Sequence, residues 1–201
     1  MKKNVLLLLM AAITIAANAQ EVGKVWSHPN MTWFGADFTM AKVLGLDDSP
    51  HKIRDEYFKL WNDVTIEMDM AKMFEKKAVY KDNMAITKQN LARETETLNK
   101  PAEADLTEDA IVARVKEMPT GTKKDGLGLV FIVQSVDKAA AQAVVYVTFF
   151  DIATRKVLWM KKMTGKTSGK DPKTLGGSAI KDIFSQIEKK EFKAWRKEAN
   201  Y

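Results

Sequence analysis

Cysteine is absent from this chain. No disulfide can staple the fold, so its stability has to come from an ordinary apolar core. The same absence removes the cysteine that lipoprotein processing needs, and a soluble product is expected. Histidine is nearly absent as well: only His28 and His51 occur. No local signature of a Ser-His-Asp hydrolase is present. Asp47, Asp48 and His51 lie close in sequence, but their spacing matches no standard metal site, and helix capping accounts for the carboxylates. No metal and no cofactor is expected. Past the first residues there is no second long apolar run, no internal repeat and no long low-complexity segment. Charge of one sign is also lacking. The 32 Lys and Arg are scattered among 26 acidic residues, for a formal net charge of +6. So mild a balance does not point to nucleic acid or anionic lipid as a partner. With 46% hydrophobic residues, the chain is not intrinsically disordered.

What is present begins with an export signal. Met1-Lys2-Lys3-Asn4 is a short positive stretch, and an apolar run follows from Val5 to Ala16, broken only by Thr14. Ala17-Asn18-Ala19 supplies a small-x-small cleavage site. The run is shorter than the roughly 20 residues a membrane span needs. Residues 1–19 are therefore expected to be a signal peptide. Gln20 should open the mature chain, residues 20–201 should form a single α+β domain, and the expected location is periplasmic or secreted. No integral membrane span is expected after cleavage.

Thr32 to Val43 reads as one strand, bulged near Gly35. Asp47-Asp48-Ser49-Pro50 announces a helix, with Asp48 or Ser49 as cap and Pro50 at the first helical position. Ile53, Tyr57, Leu60, Trp61 and Val64 form its apolar stripe, with Met68, Ala71 and Phe74 as a possible extension. Ala78 to Tyr80 reads as a short strand, and 81–100 is open between strand and helix. Thr107 caps a helix running to about Lys116. Three strands follow, Leu127 to Val136, Ala141 to Asp151 and Lys156 to Gly165, with short joints that predict an antiparallel meander. The middle strand is apolar on both faces, with Val145, Val147 and Phe149 on one and Val144, Tyr146 and Phe150 on the other, so both sides should be covered. A last helix is expected from about Ser178 to Glu198, with Ile180, Ile183, Phe184 and Ile187 inward. Phe192 and Trp195 continue that stripe less regularly. The expected fold is a three-stranded antiparallel meander plus an N-terminal strand in one sheet, packed by long helices.

Gly126 to Leu158 carries a further signal. Gly-Leu-Gly-Leu-Val-Phe-Ile-Val is followed by Val-Tyr-Val-Thr-Phe-Phe-Asp-Ile-Ala-Thr-Arg-Lys-Val-Leu. This resembles the N-terminal domain of the TolB translocation protein and the related curli-secretion lipoprotein domains. It is also similar to small exported α+β proteins of Gram-negative bacteria. Those families place a turn of the form Asp-x-x-Thr-Gly-Lys between two strands; here Arg155 stands where they have glycine. Glycine reaches positive φ cheaply and arginine does not, so a different turn type is expected. The resemblance implies envelope assembly or protein–protein contact, and it brings no catalytic residue.

Two short motifs invite chemistry. Gly165-Lys166-Thr167 is like a phosphate loop, but Met160 takes the place of its first glycine and no helix is expected directly behind it. Ser178-Ala179-Ile180-Lys181 has the Ser-x-x-Lys spacing of penicillin-binding proteins, without their later motifs; Ser178 reads as a helix cap. The methionines, including Met68, Met70, Met73, Met160 and Met163, fill a core or line an adaptable groove. Trp26 and Trp33 read as a buried pair rather than a partner-facing one. The candidate partner surface is the basic end of the last helix: Lys189, Lys190, Lys193, Arg196 and Lys197, with Trp195 as anchor. An acidic envelope protein would suit it. The alternative is a carrier that holds a small apolar or lipid-like ligand between sheet and helices.

Overall fold

The structure is a computed structural model that describes residues 22–102, 104–119, 121–169 and 171–201. The expected signal peptide and cleavage site lie outside these residues.

Among the described residues six strands form one mixed sheet: β1 Asn30–Asp37, β2 Lys42–Leu44, β3 Ala78–Lys81, β4 Leu127–Asp137, β5 Gln142–Asp151 and β6 Val157–Lys166. The order is β3-β1-β4-β5-β6, and β2 also pairs with β4. β1 runs parallel to both β3 and β4, and β2 parallel to β4; β4–β5 and β5–β6 are antiparallel. The expected architecture of a three-stranded meander plus one N-terminal strand is therefore incorrect. One side of the sheet is parallel, and it is built from segments far apart in sequence. Short joints reveal neighbours along the chain but say nothing of a strand inserted from elsewhere.

The single strand expected over 32–43 is two. Gly35, at φ +100°, sits where the β1–β4 register slips between Trp33 and Ala36. β1 then ends at Asp37, and β2 resumes alongside the far end of β4.

Helix α1 (50–63) comprises Pro50–Lys52, a wider π-turn Ile53–Tyr57, and Phe58–Asp63. Ser49 caps it by accepting the Lys52 N–H, and Pro50 stands at its start. In the π-turn the Phe58 N–H reaches back five residues to the Ile53 carbonyl. That extra residue rotates the following turns. Phe58 and Trp61 face inward, while Leu60, expected inside, is 41% exposed. The stripe does not run on to Phe74 in one helix; a separate short helix, α2 (Met70–Met73), carries that part. Residues 81–100, open in the sequence, contain helix α3 (Met84–Ala92). Helix α4 (Glu108–Glu117) starts at its Thr107 cap. Helix α5 (172–198) comprises Pro172–Gln186, a second π-turn Ile187–Glu191, and Phe192–Glu198.

Two apolar clusters lie on opposite faces of the sheet. The larger joins Trp33, Phe131 and Phe149 to Tyr57, Phe58 and Trp61 of α1 and Ile180, Ile183, Phe184, Phe192 and Trp195 of α5. The smaller sets Phe34, Val130, Ile132 and Phe150 against Ile111 and Val115 of α4 and Ile86 of α3. Among the described residues no helix is long and apolar enough to cross a membrane.

Candidate partner surface

Asp171, not Ser178, caps α5: its carboxylate accepts the Lys173 N–H at 3.0 Å. The helix therefore starts several residues earlier than expected, and Gly176 and Gly177 lie inside it. The reason is tertiary. A Cβ on Gly176 would come within 2.4 Å of the Trp61 ring, so glycine here permits close approach of α1 and α5. Gly165 does the same for β6, where a Cβ would come within 2.2 Å of the Ala179 carbonyl oxygen.

This packing accounts for both chemical motifs. The Ser178 hydroxyl donates to the Leu175 carbonyl at 2.8 Å and accepts the Ser168 N–H at 2.8 Å. The Lys166 N–H donates to the Asp182 carboxylate at 2.8 Å. Of the amides that a phosphate loop would turn on its anion, that of Lys166 is thus engaged by a carboxylate of α5 and that of Thr167 by the Ala141 carbonyl at 3.0 Å. The two histidines sit apart. His28 Nδ1 lies 2.6 Å from the Asn30 carbonyl, in a polar pocket of about 370 Å³ with Thr32, Tyr80, Lys123 and Asp125. His51 Nε2 is 3.4 Å from Thr95 Oγ1, and its neighbour Asp48 pairs with Lys52 at 2.7 Å. Among the described residues no three metal-ligating side chains gather.

The second π-turn gives α5 its two faces. The Phe192 N–H bonds to the Ile187 carbonyl, five residues back, so Phe192 and Trp195 fall in line with Ile183 and Ile187. The stripe that looked irregular in sequence is continuous in space. Trp195 is consequently buried, 1% exposed, with its ring 4.7 Å from that of Trp159. Its assignment as a surface anchor is wrong: an aromatic at an inward position has no access to a partner. Arg196 is half-buried and its guanidinium is paired with Glu75, joining α5 to the turn after α2. The four lysines 189, 190, 193 and 197 are exposed. Lys190 pairs with Glu191 at 3.1 Å; Lys189, Lys193 and Lys197 have no ion pair among the described residues.

Residues that sequence reasoning missed extend this surface. α5 runs beside β6, the outer strand. The Gln186 side chain donates to the Thr164 carbonyl at 2.9 Å, and Lys161 pairs with Glu198 at 2.9 Å. On β6, Lys162, Thr164 and Lys166 are exposed while Met163 and Gly165 are buried. That alternation was available in the sequence as a period of two, but only the sheet order shows that β6 is an edge. The Asp105 carboxylate, hydrogen-bonded to the Lys162 ammonium, is held below the usual carboxylate range, and Lys162 is correspondingly raised. A groove of about 680 Å³ runs between Thr164 and Lys166 of β6 and Asp182, Gln186 and Lys190 of α5.

In the Asp-x-x-Thr turn Arg155 adopts φ +60°, a left-handed conformation that favours glycine, so the arginine bears the strain. Asp151 stabilises the turn by accepting the Thr154 N–H at 2.9 Å. No family model, no curated protein and no solved structure matches the chain. The likeness to the TolB N-terminal domain rests on residues 126–158 alone.

Proposed function

We propose that this is an exported, non-enzymatic binding or envelope-assembly protein that holds an acidic envelope protein through the basic end of α5. The observation that carries the reading is the set of exposed lysines 189, 190, 193 and 197 on one helix end, three of them without an ion pair among the described residues. Such charges steer an oppositely charged partner and set its orientation. The export signal and the resemblance over 126–158 support a role outside the cytoplasm. A carrier would need room between sheet and helices. That space holds Trp33, Phe131 and Phe184, with Phe131 and Phe184 stacked at 4.7 Å and Trp33 at 4.9 Å from Phe131.

The test is affinity capture from envelope extracts, with mass spectrometry of proteins and lipids, using wild type and a Lys189→Glu/Lys190→Glu/Lys193→Glu variant. Arg196 stays untouched because its pair with Glu75 is part of the fold. The variant should lose an acidic protein that wild type captures, with an unchanged melting curve. Raising salt should weaken capture by wild type, since exposed charges are screened. Equal capture by both proteins would show the helix end to be a solvated face, and a lipid as the sole ligand would favour the carrier.

A further inference from the structure

We infer that the outer edge of β6 is a strand-pairing site for an extended acidic segment of a protein partner, an inference that rests on the binding reading above. Among the described residues β6 pairs on one side only, with β5; Thr164 stands opposite Val144, Lys162 opposite Tyr146, and Met160 opposite Thr148. In an antiparallel ladder the N–H and C=O of one residue point the same way, and successive residues alternate. The Thr164 carbonyl accepts from Gln186 and the Lys166 N–H donates to Asp182, so these residues turn their peptide groups away from β5. By alternation Met160 and Lys162 do the same. Neither has a backbone hydrogen bond outside the β5 ladder among the described residues.

The edge is thus half closed. Gln186 and Asp182 supply the hydrogen bonds of a missing strand at one end, and the peptide groups of Met160 and Lys162 remain open at the other. An extended segment can complete that row, with main-chain bonds giving affinity. Charge selects the occupant. Lys166 is exposed on the strand without an ion pair among the described residues, while Lys162, paired with Asp105, and Lys190, paired with Glu191, keep exposed side chains on the same edge and its adjoining groove. Lysines on an edge strand repel basic strands and are costly to desolvate against neutral ones, which protects against aggregation. The same charges admit an acidic one, so a single feature both excludes and selects. A second copy of this chain is disfavoured, because pairing β6 with β6 would set lysines against lysines.

The experiment uses a short blocked peptide of alternating Thr and Glu, with a Thr/Lys peptide as control. Binding is followed by calorimetry and by amide hydrogen exchange. On binding the acidic peptide, the Met160 and Lys162 amides should exchange about tenfold more slowly, as newly bonded amides do. The Thr/Lys peptide should leave them unchanged. Met160→Pro removes an outward N–H, which an edge strand tolerates, and should abolish binding without changing the melting curve. Should that variant fail to fold, Lys162→Pro and the exchange data on wild type decide the matter. Loss of binding in Met160→Pro with retention in Lys189→Glu/Lys193→Glu/Lys197→Glu, which spares Lys190, supports the edge and removes the helix end. The reverse pattern removes the edge and leaves the helix end. Loss in both supports both; loss in neither, unchanged exchange at Met160 and Lys162, or no binding by wild type overturns the edge site.

Discussion

Lys76 shows how much one side chain can be asked to do. Only 7% exposed, it donates to the carbonyls of Val25, Trp26 and His28, at 2.6, 3.3 and 3.0 Å. Those oxygens end the helical turn at 22–27, so the ammonium caps that turn and pins the start of the described chain to the turn after α2. Burial, helped by the nearby Arg196 charge, pulls its pKa from 10.5 down to about 8. Below about pH 8 folded and unfolded chains both hold the proton, and this group adds no slope. Between 8 and 10.5 the unfolded chain keeps a proton that the folded chain has released, so stability rises with pH across that window. The gain is on the order of 1 kcal/mol per pH unit. Urea melts of wild type and Lys76→Met between about pH 7.5 and 10 should show this rise in wild type and its loss in the variant. Parallel curves would mean that the Lys76 proton is not released on folding.

Elements in this fold end where a side chain replaces a missing neighbour. β3 reaches only as far as Lys81, opposite Trp33, so among the described residues the last residues of β1 have β4 on one side and no strand on the other. Asn62 of α1 accepts the Ala36 N–H at 3.0 Å. Asn90 of α3 accepts the Phe38 N–H at 2.7 Å and donates to the Ala36 carbonyl at 2.9 Å. Both asparagines are buried, and together they finish the edge. Beyond them Asp37, fully buried, accepts from Arg114 of α4 at 2.6 Å and from the Thr39 hydroxyl at 2.6 Å. These bonds tie the β1–β2 break to helices on both sides. Asn90→Leu should cost about 1–3 kcal/mol for each orphaned backbone group, and should speed exchange of the Phe38 amide. Denaturant melts with residue-resolved exchange check both. A change under about 0.5 kcal/mol would mean that water replaces the amide without penalty.

At the scale of the whole molecule, Trp61 is the joint. It is fully buried, its indole N–H donates to the Pro172 carbonyl at 3.0 Å, and its ring lies against Gly176. Phe38 and Phe58 pack beside it, with ring centres 5.8 and 5.9 Å away. One residue therefore couples α1, α5 and the end of β1. Trp61→Ala should cost about 3–5 kcal/mol, the range for truncating a large buried aromatic. It should lower the denaturant midpoint while unfolding stays a single transition; a loss under about 1 kcal/mol would show that α1 and α5 are held by other contacts.

The sequence by itself determined whatever depends on neighbours along the chain. Ser49 and Pro50 start α1, Thr107 starts α4, and the alternation of β5 calls for cover on both faces; each is a matter of local hydrogen bonding or of side-chain period. The basic end of α5 was also legible, because the lysines stand on the polar side of an apolar stripe. Only the tertiary structure decided the parallel pairing of β1, β2 and β3, since contacts between distant segments leave no local pattern. It decided the two π-turns, which moved Leu60 outward and Trp195 inward: one extra residue in a turn rotates all that follows. It let Gly176 and Gly177 lie within a helix, because the nearness of Trp61 is what forbids a Cβ at Gly176. And it made β6 an edge, because an edge exists only when the order of strands in space is known.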